Sequence, residues 1–132
     1  MLPGLFFYGE KIMDKVYVTT SIPYVNGRPH VGFALELVQA DVLARYYRLQ
    51  GKEVRLQTGA DENAYKNVLS AREQGVDTQE LVDGNSGLFR TLGEKLGIVT
   101  DDFLRTTETR HVRTVQALWG DLQEGDLYRR RY

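Results

Sequence analysis

His30 closes a turn-rich loop, Ile22-Pro23-Tyr24-Val25-Asn26-Gly27-Arg28-Pro29, and precedes a long helical pattern that opens with Val31-Gly32-Phe33. An imidazole at that point can donate a hydrogen bond to a phosphoryl oxygen as negative charge builds on it. Gly27 and Gly32 let a nucleotide approach the backbone closely, and the unpaired N–H groups and positive dipole end of the helix make a natural phosphate site. A second loop, Thr58-Gly59-Ala60-Asp61-Glu62-Asn63, carries two adjacent carboxylates. An acid left unpaired there can hold a substrate ammonium group. Plainer readings stand beside these: a loop histidine that only hydrogen-bonds at the surface, a Tyr24 that packs beside Pro23, and an Asp61 and Glu62 that cap the following helix.

Both loops need a scaffold that brings them together. Lys15 to Thr20 is rich in β-branched and aromatic residues and reads as a buried strand. From His30 onward, Val31, Leu35, Val38, Val42, Tyr46 and Leu49 fall at steps of three and four, and Phe33, Leu37, Ala40, Ala44 and Tyr47 form a second stripe. Two stripes predict a helix buried around most of its circumference. Gly51 caps it, and Glu53 to Thr58 supplies a second strand, which completes one right-handed βαβ unit. Beyond it, Glu62 to Gln74 predicts a helix that ends at Gly75. Asp77 and Glu80 form a capping box for a third helix running toward Gly97, with a bend or fraying at Gly84 and Gly87, each of which costs ~1 kcal/mol relative to Ala. Asp102 to Thr106 is a candidate third strand. Val112, Val115, Leu118, Trp119 and Leu122 mark a last helix ended by Gly125, with Trp119 in the core and His111 structural or solvated. Strands alternating with helices imply the α/β class, a doubly wound parallel sheet covered on both faces, with ligands bound outside the carboxyl ends of its strands.

The chain has 132 residues, enough for about one domain. Its 42% hydrophobic and 27% charged content supports a packed core and argues against disorder and coiled coil. Seventeen Lys+Arg against eighteen Asp+Glu leave a net charge of -1, which argues against a protein that grips nucleic acid over its whole surface. RNA contact is then local or lies outside this chain; Arg129, Arg130 and Arg131 either touch RNA or form a wet edge that discourages strand pairing. The absence of cysteine removes disulfides and thiolate chemistry and fits a reducing, cytoplasmic setting, and two histidines leave no zinc site of familiar spacing. No run approaches the ~18 apolar residues that span a bilayer, so no membrane is expected. Residues 1–12 lack the basic start and apolar length of a signal peptide and read as a frayed extension before a domain that starts at Met13. Leu127 to Tyr132 alternates large and basic residues like a strand and has no partner after it, as in a chain cut before its fold closes. An incomplete parallel sheet leaves an open edge through which copies can self-associate.

Taken together, Tyr17-Val18-Thr19-Thr20, Pro23-Tyr24-Val25-Asn26, Pro29-His30-Val31-Gly32, Ala40-Asp41-Val42-Leu43-Ala44-Arg45-Tyr46, Thr58-Gly59-Ala60-Asp61-Glu62, Asp101-Asp102-Phe103-Leu104-Arg105-Thr106 and Gly125-Asp126-Leu127-Tyr128 resemble, in order and spacing, the N-terminal catalytic segment of the class I aminoacyl-tRNA synthetases, most closely the methionyl-tRNA synthetase family. The resemblance covers Met13 to Tyr132. It implies the N-terminal half of a Rossmann-like sheet of the HUP type over residues 13–126, with residues 127–132 leading into a connective domain that this chain lacks. It implies a ligase that joins methionine to the α-phosphate of ATP, Mg2+ assisting, and then passes the methionyl group to tRNA, which is met only through missing regions. Ile22, Pro23 and Tyr24 would line the methionine side chain and Asp61 would bind its amino group, while His30, Gly32 and Asn26 would lie against ATP, with His30 as the catalytic group.

Three departures from the family pattern bear on activity. His-Ile-Gly-His is here His30-Val31-Gly32-Phe33, so the second histidine is absent, and Asp-Glu-His-Gly is here Asp61-Glu62-Asn63-Ala64. The Lys-Met-Ser-Lys-Ser loop that supplies cations to the departing pyrophosphate is nowhere in the 132 residues. The expectation is half a catalytic site and no appreciable ligase activity from this chain alone. The rival reading is a noncatalytic synthetase-like binding module or truncated paralogue.

Overall fold

A computed structural model describes residues 15–131; the expected frayed segment over residues 1–12 lies outside the described residues. The chain runs β1 (Lys15–Thr19), α1 (Val31–Leu49), β2 (Glu53–Ala60), α2 (Tyr65–Gln74), α3 (Thr78–Lys95), β3 (Asp102–Arg105) and α4 (Thr109–Asp121), followed by a single 3-10 turn, Glu124–Asp126. All three strands are parallel in the order β1-β2-β3, with Lys15 opposite Glu53, Thr19 opposite Gln57, Gln57 opposite Asp102 and Ala60 opposite Arg105. This is the α/β, Rossmann-like alternation that the hydrophobic periods predict.

One face of the sheet carries the core. Leu56 and Ala60 of β2 pack with Phe33, Leu37, Ala40 and Ala44 of α1 and with Val82 and Phe89 of α3. Phe33 and Phe89 meet edge to face, with ring centroids 5.0 Å apart. β1 alternates exposed and half-buried residues, and Tyr17 on its outward side is exposed, so β1 is half-buried rather than the buried strand expected. α1 differs in the same way. Of its apolar residues only Phe33, Leu37, Ala40 and Ala44 are buried, with Asp41 beside them, and Val31, Leu35, Val42, Tyr46 and Leu49 are exposed, because the described sheet and α3 give the helix one face to pack against.

α3 runs unbroken through Gly84 and Gly87, where fraying was expected. The Cβ position of each glycine opens on empty space, while Val82, Ser86 and Phe89 on the opposite side are buried, so tertiary packing outweighs the weak helix propensity. Trp119, expected in the core, is exposed, and α4 buries none of its residues. Leu127 to Arg131 form no strand, having no neighbouring strand to pair with among the described residues.

β2 extends two residues past the expected end because Gly59 and Ala60 pair with Leu104 and Arg105 of β3. A side chain at Gly59 would run into the Leu104 carbonyl oxygen and would stand 3.1 Å from Cγ2 of Ile22. At the other end of β3, Arg110 of α4 holds both Asp102 oxygens, at 2.9 and 2.8 Å. Those hydrogen bonds keep the Asp102 carboxyl below its usual range against the opposing effect of burial.

Two outcomes follow from this packing. Gly59→Ala forces β2, β3 and Ile22 apart and costs about 1–3 kcal/mol of overpacking, read as a lower urea midpoint. A carboxyl whose folded pKa is depressed stabilises the fold above its unfolded value of ~3.9 and loses that contribution as pH falls through the folded value. The stability difference between wild type and Arg110→Met, large at pH 6, therefore narrows as the solution is taken below about pH 4.

Candidate functional site at the carboxyl edge of the sheet

The loop after β1 is held to the rest of the chain at five points. Thr20 Oγ1 and Thr58 Oγ1 lie 2.7 Å apart across β1 and β2. The Ser21 N–H and hydroxyl donate to the two oxygens of Glu36 in α1, at 2.6 and 2.8 Å. Val25 is fully buried, and its carbonyl accepts from Asn85 Nδ2 of α3 at 2.6 Å. Tyr24 forms a parallel bridge with Asp61, whose N–H donates to the Pro23 carbonyl at 2.9 Å. The fifth point is His30, the N-cap of α1.

His30 Nδ1 accepts from the Gly32 N–H at 3.0 Å. A ring nitrogen that accepts carries no proton, so the neutral imidazole bears its hydrogen on Nε2. The exposed ring thus presents one N–H donor beside the helix N-terminus. Gly32 is required for this arrangement, since a Cβ there would lie 2.8 Å from His30 Cε1. The histidine-x-glycine spacing is, in this structure, a capping geometry.

At the tip of β2 the two adjacent acids separate. Asp61 is half-buried; its Oδ1 accepts from the Asn63 N–H at 3.1 Å, and its second oxygen has no hydrogen-bond partner among the described residues. Glu62 is buried and fully engaged: Arg105 Nε donates to Oε1 at 2.5 Å, the Ser86 hydroxyl donates to the same oxygen, and the Thr107 hydroxyl donates to Oε2. Glu62 is therefore no candidate for a substrate ammonium, whereas Asp61 keeps the free valence that role needs. Neither acid caps α2, whose N-cap is Ala64.

Ile22 and Tyr24 are exposed and Pro23 is half-buried, so the stretch that the bridge brings alongside Asp61 is apolar. Lys66 Nζ sits 5.8 Å from the Tyr24 ring centre. Asn26 is half-buried, with no side-chain hydrogen bond among the described residues. Phe33, which stands where a second histidine was expected, turns into the core and offers nothing to a phosphate. Among the described residues no three His, Cys, Asp or Glu side chains are grouped to hold a metal ion, and no helix is long and apolar enough to cross a membrane.

The Glu36, Asn85 and Arg105 contacts escape sequence reasoning. Each joins residues that are distant in the chain, and no local pattern marks any of them.

Residues 16–132 match the family of tRNA synthetases, class I (M). The methionine–tRNA ligase of Brucella suis biovar 1 is 43% identical over 120 residues, which cover 90% of this chain and 23% of that protein. The methionine–tRNA ligase of Thermotoga maritima is 41% identical over 116 residues, 87% of this chain and 18% of that protein. The chain thus spans less than a quarter of the curated relatives it matches. A solved structure of Mycobacterium tuberculosis methionyl-tRNA synthetase in complex with methionyl-adenylate superimposes with a TM-score of 0.80 at 42% identity, covering 82% of this chain and 21% of that one. A LeuRS of Agrobacterium radiobacter K84, in a ternary complex with tRNA and LeuAMS, reaches a TM-score of 0.80 at 24% identity over 90% of this chain and 16% of that one, a likeness of fold.

Gly32→Ala displaces the His30 ring and removes the α1 cap. The expected cost is about 1 kcal/mol, read as a lower urea midpoint. An unchanged midpoint would show that the ring does not cap the helix.

Proposed function

The chain belongs to the tRNA synthetases of class I (M), and from that premise we propose that its two loops bind methionine and ATP for adenylate formation. The observation that carries this reading is the pairing of Tyr24 with Asp61, which sets an unpaired carboxylate oxygen beside an apolar strip at the same sheet edge where α1 begins. Asp61 takes the methionine ammonium, and Ile22, Pro23 and Tyr24 take the thioether side chain. His30 Nε2–H, with Gly32 and Asn26 nearby, faces ATP.

In the step proposed, a carboxylate oxygen of methionine attacks the α-phosphorus of ATP. The new bond is a mixed acyl phosphate; the bond from the α-phosphorus to the bridging oxygen breaks, and pyrophosphate leaves with the electron pair. No side chain acts as a nucleophile. The chain's contribution is alignment of the two reactants and hydrogen-bond donation to oxygens that gain charge. Mg2+ fits this scheme as a partner of the ATP phosphates and water, since the described residues offer no cage of carboxylates for it. Transfer to tRNA and a cytoplasmic setting are further parts of the proposal and concern the whole protein, whereas self-association through the open edge of β1 concerns this chain.

Phe33 favours a second reading, a binding module without catalysis, because the position that would supply another phosphate donor is packed against Phe89. Calorimetry with the chain separates the cases. The synthetase reading expects both ligands to bind, with Asp61→Ala weakening methionine at least tenfold and leaving ATP unchanged, and with His30→Ala doing the converse. A chain that binds neither ligand, or an Asp61→Ala that binds methionine normally, overturns it. Methionine-dependent ATP–pyrophosphate exchange well above background from the 132 residues alone would show that no further loop is needed.

A further inference from the structure

Three successive residues, the last of β3 and the two that follow it, grip the tip of β2. Arg105 donates Nε to Glu62 Oε1 at 2.5 Å and reaches Asp83 of α3 with its other end. Thr106 accepts the Glu62 N–H on its hydroxyl at 2.9 Å, donates its own N–H to the Ala60 carbonyl at 3.2 Å, and accepts Asn63 Nδ2 on its carbonyl at 3.3 Å. Thr107 donates its hydroxyl to Glu62 Oε2. From the opposite side, Asn67 of α2 is fully buried and donates Nδ2 to the Asp61 and Glu62 carbonyls, at 3.3 and 2.9 Å. Every polar group of Glu62 is thereby engaged, and both peptide units flanking it are tied down.

We infer that residues 105–107, acting through Glu62, form a clasp that positions the Asp61 carboxylate and so sets amino-acid affinity without touching the amino acid. The inference deepens the proposed function and rests on it. Its physical basis is that Asp61 has few restraints of its own. One oxygen is unpaired, and the side chain's direction is dictated by a backbone held at Pro23 on one side and at Glu62 on the other. Burying a second carboxylate next to a ligand-binding one is costly unless that charge is compensated. Arg105 supplies the compensation, leaving Asp61 as the one carboxylate of the pair open to a cation. Arg105 also holds Glu62 and Asp83 together through a planar fork, a geometry that lysine does not reproduce. Glu62, Arg105 and Thr107 are thus positioning residues, each acting at one remove from the ligand.

A purely structural role would lower the folded fraction and so weaken every ligand alike. A positioning role weakens methionine and spares ATP, whose proposed contacts lie on the other loop. The test measures methionine and ATP separately by calorimetry on the full chain, with thermal unfolding recorded for each variant. Glu62→Gln is expected to weaken methionine at least tenfold while ATP stays within twofold. Thr107→Val, which removes one hydroxyl at nearly constant volume, should weaken methionine about threefold and serves if Glu62→Gln does not fold. Arg105→Lys should recover part of the methionine affinity lost in Arg105→Met, in keeping with retained charge and a lost fork. Equal losses for the two ligands, or methionine affinity unchanged in the folded variants while Asp61→Ala abolishes it, overturn the clasp and leave the proposed function standing. A wild-type chain that binds no methionine overturns both.

Discussion

The candidate site depends on one backbone hydrogen bond, from the Asp61 N–H to the Pro23 carbonyl, and on the bridge it forms with Tyr24. Without it the loop after β1 and the tip of β2 would be two separate surfaces. With it, the pairing of β1 and β2 continues past the end of β1, and an apolar strip and a carboxylate are held at the spacing of adjacent strands. Such a contact survives only if the loop is pinned elsewhere, because a long loop tethered at one point loses too much conformational entropy in closing on it. Val25 in the core, Asn85 on its carbonyl and Glu36 on Ser21 provide that pinning. The site is a consequence of core packing carried outward.

Element identity was legible because the hydrophobic periods are strong and the capping residues sit where they act. Gly75, at a φ of 67°, ends α2 in the left-handed conformation, and the Asp77 side chain accepts from the N–H groups of Gln79 and Glu80 at the start of α3. Burial was less legible. The two stripes of α1 are equally apolar in sequence, and only tertiary context decides that Phe33 and Leu37 go inside while Leu35 and Val42 stay out. Trp119 fails for the same reason, since an amphipathic pattern states which residues would share a face and says nothing of what meets that face.

The chemistry followed the same division. His30, Gly32 and Asp61 stand out because they sit at the start of a helix and the end of a strand, positions that chain order alone predicts. The contrast between Asp61 and Glu62 was hidden, because two neighbouring acids look alike until Arg105, more than forty positions away, selects one of them. The glycines divide similarly. Gly32 was expected to admit a nucleotide, and in the structure the group it first admits is the His30 ring.

That seating has a cost for any proton traffic through the imidazole. The Nδ1 electron pair is already committed to the first turn of α1, beside the backbone bonds that the Phe33 and Ala34 N–H groups make to the His30 carbonyl. The same nitrogen cannot serve as latch and as base. What the ring has left to offer outward is a donor and not an acceptor.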